Sequence, residues 1–220
     1  MKRDLVIKVI IAGVLIACLV MFLIPNKPTK DELKFKKEYE SINNKISEHT
    51  GKKNRKVTIP EKNGVKYIDG KKLIKKIRNK DSFIVYFGFK DCPWCRSVVE
   101  ILIDTMKENN VKEIYYMDIK EVRDVYKIED EKLVKEKEGT AEYMELIKRL
   151  GKVLEDYTVG DASTGEKRIY APNIVGIKEG KAIVMQTGVS KKETNPYMKL
   201  TKTMKEDTKK QFIKVIEGVY

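Results

Sequence analysis

"SFIVYFGFKDCPWCRSVVE", residues 82–100, decides the fold. Its first eight residues are aromatic or β-branched with scarcely a break, the pattern of a strand covered on both faces at the centre of a sheet. Two cysteines follow, separated by Pro93 and Trp94. Beyond them Val98, Val99, Leu102, Ile103 and Met106 recur at helical spacing, which predicts a helix from about residue 93 to 108. A buried strand therefore runs straight into the cysteine pair, and a helix leaves from it.

That placement has chemical consequences. Cys92 falls at the helix N-terminus, where unpaired backbone N–H groups and the helix dipole favour an anion. Its thiol is expected below the free value of about 8.5. Pro93 suits the first helical turn, where its missing N–H costs no bond. Cys95 lies on the side leading to Val98, Val99 and Leu102 and should be the less exposed sulfur. Cys92 is thus the expected nucleophile and Cys95 the expected resolving thiol. Lys90 and Arg96 add nearby positive charge. Trp94, the one tryptophan of the chain, has no core-facing spacing, so it either contacts a partner or shields the sulfurs.

Two other uses of the pair fit less well. Structural zinc takes four ligands, usually Cys and His, and beyond this pair the chain offers only Cys18 and His49. No metal and no cofactor is expected. A static staple closing so short a loop removes little entropy from the unfolded chain. The pair suits thiol-disulfide exchange better.

Outward from this unit, "VKYI" at 65–68 and "EIYYMDI" at 113–119 read as strands. Asp69 can cap a helix carrying Leu73, Ile74 and Ile77 on one face. "NIVGI" at 173–177 and "KAIVMQTGV" at 181–189 flank Glu179-Gly180, a hairpin signal. A last helix is expected over about 201–218, with Met204, Phe212, Val215 and Ile216 inward. Residues 120–160 are highly charged, yet Tyr143, Ile147, Leu150 and Leu154 keep helical spacing. They predict helix, loop and a long helix of about 140–157, an insertion that shapes substrate choice without building the core. The order β-α-β-α-β, helical insertion, hairpin, helix is the α/β plan of a thioredoxin-like fold, a central mixed sheet flanked by helices.

The N-terminus, "MKRDLVIKVIIAGVLIACLVMFLIP", is apolar or small from Val9 to Ile24 after Lys2 and Arg3. A spanning helix needs about 20 such residues. Residues 1–25 are expected to be a single-pass transmembrane anchor. A cleaved signal, and a lipoprotein signal through "LIAC" ending at Cys18, are the rivals. All three put residues 26–220 on the extracytoplasmic side of the cell membrane. Residues 26–56 read as a basic linker in which Phe35, Tyr39, Ile42 and Ile46 mark a short amphipathic helix, either docked or a stalk. Residues 57–220 are the domain. The net charge is +13, but only seven of the 46 basic residues are arginine. The lysines are dispersed among acidic residues and no recognition module is present, so no nucleic-acid partner is expected.

"YFGFKDCPWCRSVV" and "RIYAPNIVGIKEGKAI" at 168–183 resemble thioredoxin-family proteins. With "FKKEYESIN", "RKVTIP", "IYYMDIK" and "GEKRIYAPNIVGIKEGK", which span most of residues 35–190, the chain resembles the membrane-anchored thioredoxin-like proteins called bacteriocin transport accessory proteins. The resemblance implies a thioredoxin fold with an insertion and a thiol-disulfide site. It makes Pro172 the cis-proline beside the reactive sulfur and Ala171 the residue whose backbone pairs with an extended substrate. Where many thioredoxins carry a buried carboxylate six residues before the first cysteine, this chain has Tyr86. The expected activity is a thiol-disulfide oxidoreductase, of reductase or isomerase type, acting on cysteines of secreted or surface proteins and served by a membrane redox partner. The alternative is a non-catalytic binding or transport-accessory module with a static disulfide.

Overall fold

β2 (Phe83–Gly88) is the keel of the molecule, every one of its residues buried. The computed structural model describes Ile7, residues 27–47 and residues 50–220. The expected anchor, apart from Ile7, lies outside them, as do Cys18 and His49. Among the described residues no helix is long and apolar enough to cross a membrane.

β2 lies third in a five-stranded sheet ordered β1 (Val65–Tyr67), β3 (Ile114–Asp118), β2, β8 (Asn173–Lys178), β9 (Lys181–Gln186). β1, β3 and β2 run parallel, while β8 and β9 are antiparallel, so the sheet is mixed. The β8–β9 turn matches its sequence signal. Glu179 and Gly180 both take positive φ, 51° and 72°, as a two-residue hairpin turn requires. Gly180 is also pressed so close to the chain that a Cβ would stand 2.2 Å from the Ile77 carbonyl oxygen.

Helices cover both faces. Tyr86 and Tyr116 are register partners and look toward α1 (Lys30–Glu40) and α3 (Pro93–Glu108). α5 (Lys202–Val219) packs on α3 and over β2, β8 and β9. Met117, next along β3, points the other way to meet Gly70 at the start of α2 (Gly70–Arg78). Asp69 caps α2 as expected, accepting the Lys72 N–H at 2.8 Å, and Leu73, Ile74 and Ile77 are buried.

Two expectations are corrected. Residues 120–160 are not a helical insertion that stays out of the core. They hold a hairpin, β4 (Val125–Glu129) with β5 (Lys132–Lys137), then α4 (Ala141–Leu150), then a strand of a second hairpin, β6 (Glu155–Val159) with β7 (Ala162–Arg168). α4 stops at Gly151, so Leu154 is buried by a turn and not by a helical face. α4 packs on α2 and buries Tyr143, Leu146, Ile147 and Leu150 in the main core. The hairpin strand β5 instead alternates exposed and half-buried residues, the period of two that a one-sided strand shows.

The stripe across residues 35–46 is also shorter than its spacing suggested. α1 ends at Glu40, Asn44 turns the chain with φ 61°, and Ile46 is 64% exposed. Phe35 and Tyr39 are fully buried. α1 is therefore docked, not a stalk.

Candidate functional site: a buried dithiol at a helix start

Cys92 is the N-cap of α3, and Pro93 opens the helix. Its sulfur accepts the Cys95 backbone N–H at 3.3 Å, one of the amides a helix start leaves unpaired. Both cysteines are free thiols. Cys92 is 4% exposed and Cys95 not at all, the order expected from the helical face. The Cys92 thiol donates to the Ala171 carbonyl at 3.3 Å. The Ala171–Pro172 peptide is cis, the geometry the resemblance implied.

The two thiols are driven in opposite directions. Burial pushes Cys92 up, but hydrogen bonds from the Cys95 thiol and from the Cys95 and Trp94 backbones, with the charge of Arg123, outweigh it and leave Cys92 below the ordinary thiol value. Burial holds Cys95 well above that value, and the neighbouring Cys92 adds to the rise, while the Tyr86 hydroxyl opposes it. One sulfur is set to be the thiolate and the other to keep its proton.

The cationic help comes from a different residue than expected. Arg96 is buried and spends its guanidinium on the carbonyls of Arg55, Tyr39 and Lys90 and on Asn43. Lys90 is exposed and contributes its carbonyl to that network. Arg123, stacked 4.8 Å from the Phe89 ring centre, is the charge that bears on Cys92. Nothing in its local sequence marks it out, because it lies on a loop just after β3. Beneath Cys95, where a carboxylate was missing, the hydroxyls of Tyr39 and Tyr86 meet at 2.9 Å.

Trp94 and Pro172 come together in a cleft of about 240 Å³, lined also by Tyr170, Ala171, Val189 and Glu155. Glu155 belongs to β6, so the insertion reaches the cleft. A larger cleft of about 580 Å³ lies between α3 and α5, lined by residues such as Glu100, Asp104, Lys202 and Lys205. Its charges of both signs suit a solvated helix seam, whereas the smaller cleft reaches Ala171, whose carbonyl meets the Cys92 sulfur. Among the described residues no three of His, Cys, Asp and Glu gather to hold a metal ion.

No protein-family model matches the chain, and no curated protein matches it in sequence.

Proposed function

We propose that this chain is a thiol-disulfide oxidoreductase of thioredoxin-like architecture, working through Cys92 and Cys95. The observation that carries the reading is the pair of opposed thiols at the start of α3, with Cys92 lowered, Cys95 raised, and the Cys92 sulfur against Ala171 and the cis Pro172.

The chemistry follows from that asymmetry. The Cys92 thiolate attacks one sulfur of a substrate disulfide. The substrate S–S bond breaks, a mixed disulfide forms on Cys92, and the departing thiolate takes up a proton. Cys95 then loses its proton and attacks the Cys92 sulfur. The second substrate thiolate leaves and is protonated, and the Cys92–Cys95 disulfide remains. Two electrons pass from the protein to the substrate. A dithiol donor restores the reduced pair, and the membrane redox partner is of that class. In isomerase work a different substrate thiolate attacks the substrate sulfur of the mixed disulfide, a new substrate disulfide forms, Cys92 leaves as the thiolate, and the protein returns unchanged.

The apolar run from Val9 to Ile24 supports a membrane tether, with residues 26–220 on the extracytoplasmic side and the cysteines of secreted or surface proteins as substrates. The Pro-aromatic dipeptide between the cysteines resembles that of glutaredoxins, whose potentials lie near −200 to −230 mV, and favours reductase or isomerase work over primary oxidation. The Cys95→Ala variant tests the reading by trapping mixed disulfides. Adducts bound through Cys92 are expected. No adducts, with a wild-type phenotype for Cys92→Ser, would leave a static binding module in place of an enzyme. An impermeant thiol reagent should label Cys92 on intact, reduced cells, and labelling only after lysis would overturn the topology.

A further inference from the structure

The β6–β7 hairpin carries a carboxylate into the cleft lined by Trp94, Ala171 and Pro172. Glu155 is the first residue of β6 and the register partner of Arg168. The hairpin is clamped to the segment that enters Pro172. The Tyr170 hydroxyl accepts the Thr158 N–H at 3.1 Å and donates to the Asp156 carbonyl at 3.2 Å. The Arg168 guanidinium stacks 3.7 Å from the centre of the Tyr157 ring, which in turn stands edge-on to Tyr170 at 6.2 Å. Glu155 is therefore held by a built framework, although its own side chain is solvent-exposed.

Its neighbours are already committed. Asp156 is paired with Lys167 at 2.8 Å and Glu166 with Lys135 at 3.3 Å, whereas Glu155 has no ion pair among the described residues. The other walls of the cleft include two aromatic side chains, Trp94 and Tyr170. A carboxylate beside aromatic faces is complementary to a long cationic side chain, whose methylenes cover the rings while its charge meets the carboxylate. The location matters because a chain of net charge +13 otherwise repels basic peptides.

We infer that this cleft selects substrate cysteines flanked by lysine or arginine, with Glu155 as the specificity-determining residue. The inference rests on the exchange reading for its substrate class. The charge preference itself can be measured without exchange.

The test uses three cysteine peptides that differ only in flanking Lys, Ala or Glu. They are presented as disulfides to the reduced protein in single turnover, and with serine in place of cysteine for equilibrium binding followed by Trp94 fluorescence. For the wild type a preference of about five-fold for the Lys over the Glu peptide is expected, the scale of one partly exposed ion pair with a cation–π contact. Glu155→Gln should abolish the ratio and Glu155→Lys should reverse it. Equal affinities in the wild type, or a Lys preference that survives in Glu155→Gln, would overturn the inference. The rate with neutral hydroxyethyl disulfide reports the thiol chemistry alone. If that rate is nil in the wild type the exchange reading falls, and the binding ratio still decides the role of Glu155.

Discussion

Arg96 grips the Arg55 carbonyl oxygen with two nitrogens, Nε at 2.9 Å and Nη2 at 2.6 Å. The same guanidinium reaches Tyr39 and Lys90 carbonyls and the Asn43 side chain, so it ties the segment after α1 to the helix that bears the cysteines. Arg96→Met would keep the aliphatic bulk but strand several buried acceptors. A loss on the order of 3 kcal/mol is expected, read as a lower denaturant midpoint with an unchanged slope.

Arg123 bears on Cys92 through its charge, and Arg123→Gln should raise the Cys92 pKa. The sign is definite. A depressed thiol value means the thiolate persists as pH falls toward the folded pKa, so Cys92 should alkylate at lower pH than a free thiol. In Arg123→Gln that rate profile should move to higher pH, with a loss of a few-fold at neutral pH and no difference at high pH, where both proteins are fully ionised. Cys95, held high, should alkylate only at the alkaline end. Coincident profiles for the wild type and Arg123→Gln would remove Arg123 as a cause of the lowered Cys92 value.

Tyr86→Phe removes a hydroxyl that bonds to Tyr39 at 2.9 Å and opposes the rise of the Cys95 pKa. The attack of Cys95 on the mixed disulfide should slow, while the first attack by Cys92 keeps its rate. Stopped-flow resolution of the two steps checks this. The unpaired Tyr39 hydroxyl should also cost about 1–2 kcal/mol in stability.

The charged segment is expected to divide on truncation. Replacing the β4–β5 hairpin by a short linker should leave a cooperatively folded domain, because its Ile128 and Val134 are exposed. Tyr143→Ala in α4 should instead cost about 3–5 kcal/mol, since that ring is fully buried and its removal leaves a cavity. Equal stability losses for the two changes would show that the hairpin, too, belongs to the core.

The features legible in the sequence were local. The run 83–88 declared a central strand through unbroken apolar character, and Cys-Pro at 92–93 declared a helix start through the needs of a first turn. Asp69 and Glu179-Gly180 likewise sit next to the geometry they impose. The charged segment departs from its helical spacing for a physical reason. Tyr143, Ile147, Leu150 and Leu154 sit at helical intervals, but a turn at Gly151 delivers Leu154 to the same core. The first hairpin turns on Asp130 and Glu131, both at positive φ, where the usual glycine or asparagine signal is missing. Tertiary structure alone decided the rest. Arg96 reaches Arg55 across 41 positions of sequence and Tyr39 meets Tyr86 across 47. Arg123, on the loop after β3, bears on Cys92, and Glu155, on β6, reaches the cleft of Trp94 and Pro172. Such encounters depend on how the sheet and helices pack, and no short window of sequence carries a term for them.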